Sequence, residues 1–119
     1  MAFFGLGKHH QVQRHFAASA ADTYEALIAA ASNPEGQFTL KKHDDHAHTA
    51  SITSKGTALT YGDRLSVELA DADGGTIVTV DGTGPSEFSF TSAAHIQKTC
   101  DALFTAVYRL LREQKKFIG

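Results

Sequence analysis

Tryptophan is absent from this 119-residue chain, and cysteine and methionine occur once each. The single cysteine, Cys100, excludes an internal disulfide and fits a reducing, cytoplasmic setting. Prolines number only two, and the charge blocks and Pro/Ser tracts of disordered chains are missing. No stretch approaches the roughly 18 apolar residues of a membrane span, so none is expected. The opening MAFFGLGKHH has too short an apolar run for a signal peptide, and its charge follows the apolar residues instead of preceding them. Positive charge is also scarce: 11 Lys and Arg against 13 Asp and Glu give a formal charge of -2. The basic residues are scattered, whereas a surface that neutralises phosphates concentrates them, so nucleic acid is not an expected partner.

What remains is enough for one compact unit. With 42% hydrophobic residues the chain reads as a single domain over 1–119, in which 1–10 form an N-terminal tail. Phe3, Phe4 and Leu6, set apart by two glycines, are expected to pack on the domain or on a partner.

Two segments carry helical periodicity. After a short strand candidate at 11–17, SAADTYEALIAAASNP offers Ser19 as a cap with Asp22 three residues on. Ala20, Tyr24, Leu27, Ile28 and Ala31 then form one apolar face, and Pro34 ends the helix. Near the C-terminus Ser92 can cap a longer helix whose stripe is Ile96, Cys100, Leu103, Val107 and Leu110. Phe104, Tyr108 and Leu111 widen that stripe, and Lys115 and Lys116 suit a helix C-terminus. Cys100 falls on the buried face and reads as a packed thiol.

Between the helices the period is two. Same-face residues of antiparallel strands lie opposite one another, which suggests Phe38 with Ile52, Leu40 with Ala50, Ile52 with Leu59, and Val67 with Val78. The expected reversals are then 44–46, the pair Lys55–Gly56, and ADADGG at 70–75. The other face collects small hydroxylated side chains, among them Thr39, Thr49, Ser51, Thr53, Ser66 and Thr79.

The densest cluster of chemistry is HDDHAHT, residues 43–49. In the registers above its centre is a hairpin loop, where Asp and His tolerate unusual dihedrals. His43 is expected to point away from the face of Leu40. His48 shares the face of Ala50 and Ile52 and would stand across from Lys42 on one side and Asp63 on the other. His46 and His48 could supply two metal ligands, but HExxH and CxxC spacings are missing and a loop tip lacks orienting partners. No metal is expected. DADGG and DGTG fail the calcium-loop pattern, and no GxGxxG leads a strand into a helix, so no cofactor is expected either.

The order β-α-β-β-β-β-α is an α+β arrangement: a mainly antiparallel sheet of five or six strands with both helices on one face. One repeat of the TATA-binding-protein fold has the same order, but that fold needs two repeats and a basic concave sheet. TALTYGDRLSVEL (57–69), with its Tyr61–Gly62 pair, and GGTIVTVDG (74–82) resemble stretches of small bacterial helix-grip domains, the Bet v 1-like or START-like group. The resemblance spans roughly 11–112. It implies the helix-grip fold and, by analogy with larger members, an apolar ligand held between the sheet and the long helix. This chain departs from those members in having one helix after the first strand and fewer strands.

The expected role is a non-catalytic binding or assembly module, joined as a homodimer through the C-terminal helix, the N-terminal segment or both. One alternative is a carrier of a small apolar ligand in a cleft lined by Tyr24, Leu27, Tyr61, Leu103 and Val107. The other is a small enzyme in which His48 acts as base and Asp63 orients it.

Overall fold

A computed structural model describes residues 9–55, 64–83 and 93–118 of the chain. The elements run β1 (His9–Phe16), α1 (Ala20–Ser32), β2 (Phe38–Asp44), β3 (Thr49–Ser54), β4 (Arg64–Ala72), β5 (Gly75–Thr83) and α2 (Ala93–Glu113). Among the described residues the sheet has five strands in the order β1-β5-β4-β3-β2, every neighbouring pair antiparallel. This is the α+β architecture and element order expected from periodicity.

Why α1 starts and stops where it does is local chemistry. Ser19 is extended (φ -63, ψ 157) and its hydroxyl accepts from the Asp22 amide at 3.1 Å. Asn33, held extended before Pro34, ends the helix. Since β1 and β2 are the two edges of the sheet, α1 crosses from one edge to the other. It packs against α2 and β2, and α2 in turn packs on β1 and β5. On α2, Ile96, Cys100, Leu103, Phe104, Val107 and Leu111 are buried, facing Leu65, Val67, Leu69, Val78 and Val80 of the sheet. Tyr108, read as an extension of that stripe, is instead 47% exposed. Gly82 of β5 lies under the start of this contact: a Cβ there would come within 2.5 Å of Ile96 Cγ2. Its missing side chain lets the helix sit close.

The registers differ from the sequence expectation. Phe38 pairs with Ser54 and Leu40 with Ile52, Ile52 pairs with Leu65 in place of Leu59, and Val67 pairs with Val80 in place of Val78. Each of these corrections is an even shift, which leaves every side chain on its expected face. The β3–β4 connection is consequently not the two-residue turn at Lys55–Gly56. The β4–β5 reversal is tight, with Ala72 opposite Gly75 and Gly74 at φ 76, a conformation suited to glycine.

One correction changes a face. The β2–β3 register slips between Leu40 and Lys42, a bulge at Lys41 that sets Lys42 opposite Ser51 and His43 opposite the buried Ala50. His43 therefore lies on the helix-covered face, not on the open one. The expected three-residue loop is longer too, since β2 ends at Asp44 and β3 begins at Thr49. Expectations for Phe3, Phe4, Leu6, Leu59, the Tyr61–Gly62 pair, Asp63 and Ser92 lie outside the described residues.

Candidate functional site

The HDDHAHT segment folds into two functions. Asp44 Oδ1 accepts from the backbone amides of His46 (3.0 Å) and Ala47 (3.1 Å), a turn that closes the hairpin end. His48 takes a left-handed conformation (φ 57), and its carbonyl accepts from Leu69 N at 3.1 Å, tying the turn to β4. These residues set the backbone. His43 and Asp45, with the His48 ring and α1, make the site.

Tyr24 is the centre. Its hydroxyl donates to Asp45 Oδ1 at 2.7 Å, and His43 Nδ1 lies 2.7 Å from the same oxygen. The Tyr24 ring stacks on the His48 ring, centroids 4.9 Å apart and 29° from parallel. The bulge at Lys41 is what brings His43 to this position. Burial, then the hydrogen bond to Asp45 and the charges of Asp45 and Asp44, push the Tyr24 phenol well above its ordinary pKa. The hydrogen bonds from Tyr24 and His43 hold the Asp45 carboxyl below the usual carboxylate range.

These groups rim an open pocket of about 480 Å³. Its floor is the side of α1 turned away from the core: Ala21, Glu25, Ile28, Ala29 and Ser32, with Tyr24 at the boundary. His43, Asp45 and His48 form the opposing wall. The other described face of interest is the open side of the sheet, an open hollow of about 600 Å³ carrying Thr49, Ser51, Ser66 and Thr79 with Lys42, Asp44, Glu68 and Asp81 and bordered also by His43.

Of the residues singled out from sequence, Tyr24 and His48 are brought together. Leu27 (1% exposed), Leu103 (0%) and Val107 (2%) sit in the core beneath α1 and α2 and do not line this pocket. Tyr61 and Asp63 lie outside the described residues. Arg64, next to Asp63, pairs with Thr53 at the end of β3 away from His48. Asp45 was legible only as a turn residue, and His43 only as a strand residue facing away from Leu40. Their role depends on one extra residue in an edge strand, which periodicity alone does not reveal. Among the described residues no group of three or more His, Cys, Asp or Glu side chains is placed to hold a metal ion. No described helix is long and apolar enough to cross a membrane.

No protein-family model matches the chain, and no curated protein sequence matches it. Solved structures do. Ara h 8.0201 superimposes with a TM-score of 0.66 at 10% identity, covering 88% of this chain and 97% of that one. Protein MLL2253 from Mesorhizobium loti gives 0.60 at 14% identity, with 88% and 97% covered. The Aha1 dimer from Colwellia psychrerythraea gives 0.52 at 14% identity, with 91% and 96% covered. At such identities the likeness concerns the fold alone, and in fold the chain resembles, weakly, the Bet v 1-like helix-grip proteins.

Proposed function

We propose that this chain is a small non-catalytic binding module whose ligand sits in the pocket between α1 and the β2–β3 turn. The observation that carries the reading is the Tyr24–Asp45–His43 network, which fixes a polar wall opposite the exposed Ala21 and Ala29 and the half-buried Ile28 of α1. Such a combination of apolar floor and few oriented polar groups is the usual make-up of a small-molecule site. The same network argues against acid–base chemistry. Tyr24 holds its proton more tightly than an ordinary phenol and Asp45 its charge more firmly than an ordinary carboxylate, so neither is poised to exchange a proton near neutral pH.

The alternative is an apolar ligand enclosed against Tyr24, Leu27, Tyr61, Leu103 and Val107. Amide shifts on titration with a small amphiphile library distinguish the two. Changes centred on Ala21, Ile28, Ala29, His43 and His48 are expected. Changes centred on Leu103 and Val107, with a mass released from the native protein by solvent extraction, would establish the enclosed carrier instead. An enzyme acting through His48 is tested by its titration, which would have to depart clearly from that of the exposed His46.

Assembly as a homodimer through α2 belongs to the same proposal. Tyr108 (47% exposed) and Ile118 (58%) are the large apolar side chains left in water among the described residues. One protein of similar fold is itself described as a dimer. Light scattering is expected to give a dimer mass at micromolar concentration, and a monomer mass throughout would refute it.

A further inference from the structure

We infer that the pocket beside Tyr24 takes an amphiphilic organic cation, its ammonium group between Asp45 and Glu25 and its apolar body along Ala21, Ile28 and Ala29. This rests on the reading of that pocket as the binding site and adds the chemical class of its ligand.

The charge of the lining decides the class. Two carboxylates, Glu25 and Asp45, line the pocket, and among the described residues neither lysine nor arginine does. Asp45 is held ionised by two donors that share one of its oxygens, yet its side chain remains 72% exposed. A carboxylate so placed can still accept from a cationic group. The bulge that turns His43 inward leaves Lys42 on the open face of the sheet, where it lines the other hollow. Lys42 is thereby kept from neutralising the site. Asp44 adds a further negative charge that Tyr24 senses.

An anionic ligand would meet these carboxylates, and the lining groups that protonation could make cationic are already engaged, His43 with Asp45 at 2.7 Å and the His48 ring stacked on Tyr24. A neutral ligand of the same shape would partly desolvate them and return nothing. A metal ion lacks a three-ligand set among the described residues. An ammonium group on an apolar chain satisfies both halves of the site. The pocket volume of about 480 Å³ suits a small organic molecule.

The test is a titration of the full chain, followed by amide and side-chain NMR, with three probes of equal chain length below their micelle concentrations. They are decylammonium, decanoate and decyl maltoside. The cation is expected to shift Ala21, Ile28, Ala29 and His48 and to bind at least several-fold more tightly than the other two. Glu25→Gln and Asp45→Asn are each expected to weaken it about threefold, and together about tenfold, as for partly exposed charge pairs. Both variants keep the shape of the side chain. Glu25→Gln is expected to leave the melting temperature unchanged and Asp45→Asn, which loses the acceptor of Tyr24 and His43, to lower it slightly, and a native-like amide spectrum shows that each fold is intact. Equal binding of all three probes at these residues would overturn the cation class and leave the site standing. Binding mapped elsewhere, or no binding of any probe up to about 1 mM, would overturn both the class and the site.

Discussion

Tyr24 joins the core to the pocket: its ring is buried between α1 and the sheet, while its hydroxyl reaches Asp45 at the rim. Tyr24→Phe removes that hydroxyl and keeps the packing. A loss of about 1 kcal/mol in stability is expected, the usual net worth of one hydrogen bond. Asp45 is lowered first by Tyr24 and then by His43, so its pKa in the variant should rise toward the ordinary carboxylate value. The sign at each end of the pH scale follows. A depressed carboxyl stabilises the fold above the ordinary carboxylate range, and that contribution fades as the pH falls through the depressed value. A raised phenol stabilises below the ordinary tyrosine pKa of about 10 and fades as the pH rises through its elevated value. Of the three tyrosines, one should therefore ionise late in an alkaline absorbance titration, and Tyr24→Phe should abolish that phase. If all tyrosines ionise together in the parent protein, the network does not hold in solution. One residue earlier, Thr23 is fully buried and its hydroxyl has no hydrogen-bond partner among the described residues. Thr23→Val replaces an unsatisfied group by a methyl of similar shape and is expected to raise stability by about 1 kcal/mol. A lower melting temperature would mean that the hydroxyl has a partner, such as a bound water.

Among the elements, the sheet shows what alternation can and cannot specify. Leu65, Val67 and Leu69 are buried and their neighbours exposed, the alternation that the sequence itself displays. Alternation fixes the face of a side chain, but any even slip preserves it, so Ile52 could meet Leu59 or Leu65 equally well on that criterion. Packing of whole strands under the helices decides between them, and packing is not visible in a local pattern. Capping chemistry is local, and for that reason Ser19 and Pro34 placed α1 correctly. The bulge at Lys41 is local in effect yet silent in the sequence, since LKKHD alternates no differently from a regular strand end. Half of the candidate site was therefore hidden: Tyr24 and His48 could be found by face, His43 and Asp45 could not. Deleting Lys41 tests whether that residue is the extra one. The shortened β2 is expected to pair regularly, with Lys42 still opposite Ser51 and His43 still opposite Ala50, so that His43 keeps the helix-covered face and its contact with Tyr24. Loss of cross-relaxation between the His43 and Tyr24 rings on deletion would show that the bulge lies elsewhere in β2.

At the scale of the whole molecule, the chain after α2 returns to where α1 begins. Lys115 adopts a left-handed conformation (φ 57), with its amide on the Arg112 carbonyl at 3.1 Å and that of Lys116 on Leu111 at 2.9 Å. This is a helix-ending motif that reverses the backbone. The reversal lets Ile118 N donate to the Ala17 carbonyl at 2.6 Å, brings Lys116 Nζ within 3.6 Å of Asp22, and lays Phe117 against Tyr108. The last residues thereby fasten the long helix to the β1–α1 junction, and with it the helix that floors the pocket. Removing 117–119 deletes one backbone hydrogen bond and the partly buried Phe117 ring. A loss of about 2–3 kcal/mol is expected from those two contributions. Amide exchange should quicken first at the start of α1, near Ala17, before it does so in β4 and β5. A truncated protein with unchanged unfolding free energy and unchanged exchange near Ala17 would show that the C-terminal segment only rests on the surface.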